Sequence, residues 1–177
     1  MKLIIGLGNP DKQYEKTRHN FGQKIIQQYI ETHYDSSLQE KSNLLAKIYE
    51  TGQGTNKIIF AISTGYMNNS GLTVQKIVQF YKISPQNIYV IHDDLDLPVG
   101  DYRIQFDRGP AGHNGIKSTI ENLGTQEFNR IRLGIGKPQN NIPVEDYVLL
   151  PFSKEELNII NDLTPKIFEE IKNILGP

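Results

Sequence analysis

The sequence contains no cysteine, so it offers no disulfide framework, no thiolate nucleophile and no cysteine ligand for a metal. It also lacks an apolar run of membrane-spanning length and a signal-like N-terminal segment. Its charges nearly cancel, with 19 Lys and Arg against 20 Asp and Glu, which disfavours a protein that coats nucleic acid without selectivity. We therefore expect a cytoplasmic protein that does not associate with membranes.

The residues that are present are typical of one globular domain. With 177 residues and 37% hydrophobic content, the chain is long enough to bury a core, and we expect residues 1–177 to form a single domain. Strand-like apolar or alternating runs occur at residues 3–5, 44–49, 57–62, 88–91, 102–107 and 130–136. Because helical segments separate many of them, the pattern predicts an α/β three-layer sandwich, with a mixed, mostly parallel sheet flanked by helices.

Four segments have the apolar spacing of helices, at residues 21–30, 72–81, 116–123 and from 153 onwards. The second is predicted to bury Leu72 together with the apolar residues that follow it. The fourth begins with a capping box, in which Ser153 and Glu156 satisfy each other's backbone donors. Pro165 predicts that this last helix is kinked or divided.

Polar residues follow several of the predicted strands. Asn9, Asn20, Asn68 and Asn114 each lie in a different loop or at a helix start. The carboxyl ends of parallel strands meet at one edge of a sheet, so these side chains are expected to converge there. An amide both donates and accepts hydrogen bonds, and therefore suits the binding of a peptide or ester carbonyl without burial of a charge.

His19 is the proposed chemical centre of this edge. It lies between Arg18 and Asn20, immediately before the first helix. Asp93 follows the apolar run at residues 88–91 and is the best placed carboxylate to orient the imidazole. One ring nitrogen would then donate to Asp93, and the other would take a proton from water, which predicts that activity falls below about pH 6.5.

The sequence lacks the motifs of two other common chemistries. The dinucleotide motif fails because Asp11 stands where Gly6-x-Gly8-x-x-Gly needs its third glycine, and no serine lies in a nucleophile elbow. Two alternatives stay open. One is a metal-dependent hydrolase that uses a cluster between His92 and Asp96, and the other is a non-catalytic RNA-binding module.

The motifs, taken in order, resemble those of bacterial-type peptidyl-tRNA hydrolase. They are Gly6-Leu7-Gly8-Asn9-Pro10, Tyr14, Thr17-Arg18-His19-Asn20, Tyr66-Met67-Asn68, His92-Asp93-Asp94-Leu95-Asp96-Leu97-Pro98 and Gly112-His113-Asn114-Gly115-Ile116-Lys117-Ser118. The resemblance implies hydrolysis of the ester that joins a peptide to the terminal ribose of tRNA, which recycles the tRNA. It also implies a monomer with a mixed-sheet α/β fold and with no metal or other cofactor.

The resemblance implies a role for each matching position. His19 corresponds to the catalytic base, Asp93 to the carboxylate that stabilises it, and Asn9 to the residue that distinguishes a blocked peptidyl group from a free aminoacyl group. The implied contacts with the substrate or the tRNA acceptor end are Tyr14, Asn20, Tyr66, Met67 as an apolar wall, Asn68, His113, Asn114 and Arg132, the last at a phosphate. Arg103, Arg108 and Lys117 would extend the cationic surface.

The sequence departs from the family pattern at several positions. Asp11 and Ala111 replace common glycines, Asp94 replaces glutamate, and Asn69 replaces leucine. None of these four has a role in the implied chemistry. Gln105 stands where lysine is frequent, which predicts a weaker tRNA-binding patch.

Overall fold

The computed structural model describes residues 1–176 and contains alternating strands and helices in that range. The strands are β1 (Lys2–Gly6), β2 (Gln39–Lys41), β3 (Ala46–Thr51), β4 (Ile58–Ser63), β5 (Ile88–Asp94), β6 (Tyr102–Phe106) and β7 (Asn129–Gly134). The helices are α1 (Phe21–Tyr34), α2 (Ser70–Tyr81), α3 (Asn114–Leu123), the short α4 (Val144–Tyr147) and α5 (Lys154–Leu175).

The strands form one mixed sheet in the order β2-β3-β4-β1-β5-β7-β6. The four central strands, β4, β1, β5 and β7, run parallel to one another. Antiparallel pairing is confined to the two sides, where β2 and β3 extend the sheet from β4 and β6 pairs with β7. The predicted mixed, mostly parallel sheet is therefore confirmed.

Helices cover both faces of the sheet because successive strand residues point to opposite sides. On one face, Ile4 and Phe60 belong to a buried cluster with the apolar residues of α1 and α5. On the other face, Leu3 and Ile5 pack in a second cluster with α2 and α3. This gives the predicted three layers.

Close packing fixes the start of α1 against the sheet. A Cβ atom added at Gly22 would lie 2.2 Å from the carbonyl oxygen of Ile91, and one added at Gly6 would lie 2.2 Å from the carbonyl oxygen of Gly22. Only glycine permits this approach. The turn that precedes α1 is consequently held beside the carboxyl ends of β1 and β5.

Three local predictions are corrected by the structure. β5 does not end before His92 but continues to Asp94, because its backbone pairing with β7 extends to the pair Asp94 and Gly134. Leu72 is 39% exposed, since Thr73 and Val74 supply the buried face of α2 at that turn. The predicted division at Pro165 is wrong, because α5 is continuous and Pro165 lies on its exposed side, where solvent can satisfy the freed carbonyl.

Candidate active site

The candidate site lies where β1 and β5 end side by side. The two strands are parallel, with Gly6 opposite Ile91. The loop after β1 carries Asn9, and the 3₁₀ turn Arg18–Asn20 then brings His19 to the start of α1. Asp93 lies near the end of β5 and faces this turn. The predicted convergence is therefore present for these side chains.

His19 and Asp93 form a direct pair. His19 Nδ1 lies 3.0 Å from each carboxylate oxygen of Asp93. An ionised carboxylate only accepts hydrogen bonds, so its partner nitrogen carries the proton. Nε2 makes no hydrogen bond within residues 1–176, and the side chain is 11% exposed. This leaves one imidazole nitrogen with a free lone pair at the mouth of the site.

His113 contacts the same carboxylate from the opposite side of the site. Its Nε2 lies 3.0 Å from Asp93 Oδ1, and its Nδ1 accepts a hydrogen bond from the backbone N–H of Ile116 at 3.3 Å. The second contact makes His113 the N-cap of α3 and requires an unprotonated Nδ1. His113 therefore donates to Asp93 through Nε2, and its ring lies 4.9 Å from that of His19.

The surroundings of Asp93 keep it ionised. Burial opposes the charge, but the neighbouring imidazoles of His19 and His113 and their hydrogen bonds outweigh burial, and the net effect holds the pKa of Asp93 below its usual range. Asp93 therefore presents an ionised carboxylate to His19 across the physiological pH range. A carboxylate in this position stabilises the imidazolium that forms when His19 takes a proton.

The alternative metal cluster between His92 and Asp96 is not assembled in the structure. His92 is buried, and its Nδ1 donates to the backbone carbonyl of Asp93 at 2.7 Å. Burial, with His113 nearby, lowers its pKa to about 3. Asp94 Oδ2 accepts from Arg132, whereas Asp96 is half exposed and faces Arg108 and Lys137. These side chains point to separate partners.

A different trio has the spacing of metal ligands. Single ligand atoms of His19, Asp93 and His113 lie within 4.8 Å of one another, and this is the one such group found in residues 1–176. Both imidazoles, however, use their nearest N–H to donate to Asp93 Oδ1. A metal would need those nitrogens unprotonated, so the trio is better suited to hydrogen bonding than to coordination.

Asn20 holds Asn9 in place. The Asn20 side chain accepts from the backbone N–H of Asn9 and donates to its carbonyl, both at 2.8 Å. Asn9 Oδ1 in turn accepts from the backbone N–H of Met67 at 2.8 Å. Asn9 Nδ2 makes no hydrogen bond within the part of the chain described, so it remains available to a ligand. Asn20 is 4% exposed and engaged at both ends, which places it behind Asn9.

The other positions named from the sequence lie near the loop that carries Asn9 or at the start of α3. Tyr66 is 51% exposed and donates to Asp11 Oδ2 at 2.6 Å, and Tyr14 is half-buried nearby. Asn68 and Asn114 are exposed, and across residues 1–176 their amides have no hydrogen-bond partner. Met67 is buried and packs close to Gly115.

Arg132 does not lie at the surface as the phosphate contact implied. It is 3% exposed, its Nε donates to Asp94 at 2.8 Å, and an end nitrogen donates to Gln105 at 3.1 Å. The geometry thus gives Arg132 a buried ion pair, and its contact with a phosphate stays a prediction. Arg103, Lys117 and Lys137 are exposed cations, and Lys137 faces Asp96.

A pocket of about 210 Å³ opens above His19 and Asp93. Its walls include Leu95, which directly follows β5, residues 110–114 and the segment at Val144 and Val148. A larger groove of about 500 Å³ runs between α1 and residues 151–157, but neither His19 nor Asp93 lines it. Chemistry therefore favours the smaller pocket as the reaction site.

Two buried arginines that support the site were not singled out as such from the sequence. Arg18 Nη2 pairs with both carboxylate oxygens of Glu156, at 2.9 and 2.7 Å, and thereby ties the residue before His19 to the first turn of α5. Arg130 lies fully buried in β7. Arg130 is a charged residue in an otherwise apolar strand, and Arg18 lies next to His19. The sequence gives no further indication of their roles, because the residues that they contact lie far along the chain.

No helix in residues 1–176 combines the length and the apolar character needed to cross a membrane.

Residues 3–176 match the family model described as peptidyl-tRNA hydrolase.

Two similar sequences and one solved structure agree with this match. The chain is 47% identical over 162 residues to peptidyl-tRNA hydrolase of Mycoplasma capricolum, covering 92% of this chain and 86% of that protein. It is 42% identical over 166 residues to peptidyl-tRNA hydrolase of Aquifex aeolicus, covering 94% and 85%. The crystal structure of peptidyl-tRNA hydrolase from Acinetobacter baumannii superimposes with a TM-score of 0.91 at 28% identity, covering 99% of this chain and 88% of that one.

Proposed function

The chain belongs to the peptidyl-tRNA hydrolase family and hydrolyses the ester of peptidyl-tRNA, and from this premise we propose that His19, paired with Asp93, activates the attacking water. The observation that carries the proposal is the contact of His19 Nδ1 with both oxygens of a buried Asp93, which leaves Nε2 free at the mouth of the pocket. No cysteine is present, and the described pocket lining contains no serine or threonine to act as a nucleophile.

In the first step, His19 Nε2 takes a proton from water while the water oxygen forms a bond to the ester carbonyl carbon. The carbonyl oxygen becomes an oxyanion, and Asp93 stabilises the imidazolium. In the second step, the bond from that carbon to the ribose oxygen breaks, and His19 returns its proton to the leaving ribose. The products are a free peptide carboxylic acid and tRNA.

Asn9 Nδ2 and the exposed amides of Asn68 and Asn114 supply neutral hydrogen bonds to the substrate. Asn9 is fixed by Asn20 and by Met67, so its free donor points from a rigid loop. Donors held in place before the reaction stabilise an oxyanion without reorganisation. We assign Asn9 the recognition of the peptidyl group and the other two amides the binding of its backbone.

The tRNA acceptor end is assigned to two tyrosines and three cations. Tyr66 precedes Met67, which binds Asn9, and Tyr14 lies near Tyr66, so their rings could stack on bases close to that loop. We assign the phosphates to Arg103, Arg108 and Lys117. We further propose that the chain acts in the cytoplasm as a monomer formed by one domain.

The test is single-turnover hydrolysis of a peptidyl-tRNA in the presence of a chelator, by the wild-type protein and by His19→Asn. Asparagine keeps polarity and approximate size but cannot take the proton, so hydrolysis should fall by about 10²- to 10⁴-fold. Binding of uncharged tRNA, measured by filter retention, should change little because the tRNA surface is intact.

Each other outcome has a distinct meaning. Loss of wild-type turnover in chelator would favour a metal-dependent hydrolase. Undiminished hydrolysis by His19→Asn would reject His19 as the base. Binding of tRNA without turnover by the wild-type protein would leave only the RNA-binding module.

A further inference from the structure

Residues 110–113 form one wall of the catalytic pocket and belong to the segment of residues 107–113, here called the pocket loop. The loop is sparsely packed, since a Cβ atom added at Gly109 or Gly112 would meet no atom within 4 Å. Asp107 and Ala111 have positive φ angles of 51° and 48°. This left-handed conformation is unfavourable for residues with a Cβ atom, so contacts elsewhere must maintain it.

Arg130 supplies those contacts from the neighbouring strand. It lies on β7, and one end nitrogen of its guanidinium donates to the Gly109 carbonyl at 2.7 Å while the other donates to the Arg108 carbonyl. Across residues 1–176, no other group outside the loop forms a hydrogen bond with the main chain of residues 108–112. Within residues 108–112 the backbone is therefore tied to the sheet by a single side chain, while Asp107, at the start of the loop, donates its backbone N–H to the Phe128 carbonyl at 3.4 Å.

The environment of Arg130 is unusual for a charged group. It is 1% exposed, has no carboxylate within ion-pair distance in the described chain, and lies with its guanidinium carbon 4.7 Å from the centre of the Phe128 ring. Burial and the nearby Arg108 and Arg132 lower the pKa of Arg130 to about 10, so it still carries its charge at neutral pH. An apolar side chain would fill this space without the cost of burying a cation.

We propose that Arg130 is a positioning residue that holds the pocket loop, and through it His113 and Asn114, in the geometry that binds substrate. The inference rests on the proposed function of the pocket. The backbone N–H of His113 donates to the Pro110 carbonyl at 2.9 Å, so a shift of the loop main chain moves the start of α3 with it. Asn114 and the wall formed by Pro110, Ala111 and Gly112 would move together.

The expected consequence falls on binding more than on chemistry. The two contacts between His19 and Asp93 involve no residue of the loop and persist when the loop moves, and the hydrogen bond from His113 is the one contact of Asp93 that moves with it. Arg130→Met removes both donors and retains an unbranched side chain that still covers Phe128. We expect KM for peptidyl-tRNA to rise about tenfold and kcat to change by less than about twofold.

The variant Arg130→Lys and the hydrogen exchange of backbone amides both report on the position of the pocket loop. Arg130→Lys keeps the charge but cannot span two carbonyls with a rigid fork, so its KM should lie between those of the wild type and Arg130→Met. Exchange of the His113 amide, which donates to the Pro110 carbonyl of the loop, should become about tenfold faster in Arg130→Met, while exchange in β1 and β5 stays unchanged. The matched control is Glu50→Gln, which removes a partly buried ion network far from the loop. It should lower the thermal midpoint and leave KM unchanged.

Unchanged KM and unchanged exchange of the pocket loop in both Arg130 variants would overturn the inference. So would faster exchange spread equally through the sheet, accompanied by a rise in KM in Glu50→Gln, because Arg130 would then act only through stability. Should Arg130→Met fail to fold, the same readouts on Arg130→Lys decide the question. Absence of wild-type turnover would reject the proposed function, while the exchange measurement would still test the contact between Arg130 and the loop.

Discussion

The carboxylate of Asp93 accepts hydrogen bonds from two imidazoles, and these contacts define what each histidine can do. His19 is fixed with Nδ1 towards the carboxylate and Nε2 towards the pocket. His113 is fixed by the N–H of Ile116 and shares Oδ1. A single buried charge thus orders two rings, and only the ring of His19 retains an unpaired nitrogen.

Asp93→Asn tests this role. The amide has the same size, but it carries no charge and can donate as well as accept, so it neither stabilises imidazolium nor fixes the tautomer of His19. We expect kcat to fall by about 10²- to 10⁴-fold while the protein remains folded. The measurement is steady-state hydrolysis of peptidyl-tRNA, with circular dichroism to confirm the fold.

Asp96→Asn is the matched control for this prediction. Asp96 is a carboxylate on the same segment, but it is 52% exposed and faces Lys137 and Arg108. Its replacement should leave hydrolysis unchanged. Equal losses in the two variants would favour a metal held by the segment from His92 to Asp96 over the His19 and Asp93 pair.

The pairing of His19 with Asp93 was predictable because each residue follows an apolar run that is typical of a strand. The carboxyl ends of parallel strands lie at the same edge of a sheet, which brings the two side chains together. The burial of Arg132 and the engagement of Asn20 were not predictable. Arg132 meets Asp94 across two strands, and Asn20 meets Asn9 through a loop whose path depends on Gly22 packing against the sheet. Such partners are set by tertiary contacts that no local pattern contains.

Among the secondary elements, Glu50 joins the antiparallel side of the sheet to a helix. Located on β3, it pairs with Lys41 of β2, with Lys57 just before β4 at 2.8 Å, and with the hydroxyl of Tyr81 at the end of α2 at 2.6 Å. Burial favours the neutral acid, but the hydrogen bonds from Lys41, Lys57 and Tyr81 prevail and lower the pKa of Glu50 to about 2. Ionised Glu50 is therefore favoured by folding.

Glu50→Gln should lower stability in a pH-dependent way. A carboxyl whose pKa is depressed by folding stabilises the protein above its ordinary pKa, and this contribution is lost as the pH falls towards the folded value. Compared with the wild type, we expect a loss of about 1 kcal/mol at pH 7, since the network is partly solvated. The difference should shrink between pH 4.5 and about 2.

Urea unfolding at several pH values measures this prediction. Glu40→Gln, on the exposed part of β2, is the control and should have no comparable effect, because Glu40 forms no ion pair within residues 1–176. A destabilisation by Glu50→Gln that is equally large at pH 2.5 and pH 7 would show that the ionised network is not its source.

Most elements were predictable because apolar periodicity is a local property. The capping box at Ser153 and the C-cap glycine at Gly124 both occur as the sequence indicates. The failures have identifiable causes. Backbone pairing with β7 extends β5 through polar residues, and solvent exposure lets α5 accommodate Pro165. Neither the pairing with β7 nor the exposure of Pro165 can be deduced from the local sequence.

At the scale of the whole molecule, the sheet serves as a rigid support for a site assembled from distant parts of the chain. The loop after β1 supplies Asn9, β5 supplies Asp93, and His113 caps the start of α3. Arg18 ties the turn of His19 to α5, while Arg130 ties the pocket loop to β7. We therefore expect one group, His19, to control the pH dependence of the reaction, while the rest of the molecule holds it in place.

The most direct measurement is the ¹⁵N NMR titration of the His19 imidazole, compared with the pH dependence of kcat/KM for peptidyl-tRNA. We expect neutral His19 to carry its proton on Nδ1, and the acid limb of the rate profile to have the same midpoint as the protonation of Nε2. A proton found on Nε2 in the neutral state, or a rate that stays constant while His19 becomes protonated, would contradict this expectation.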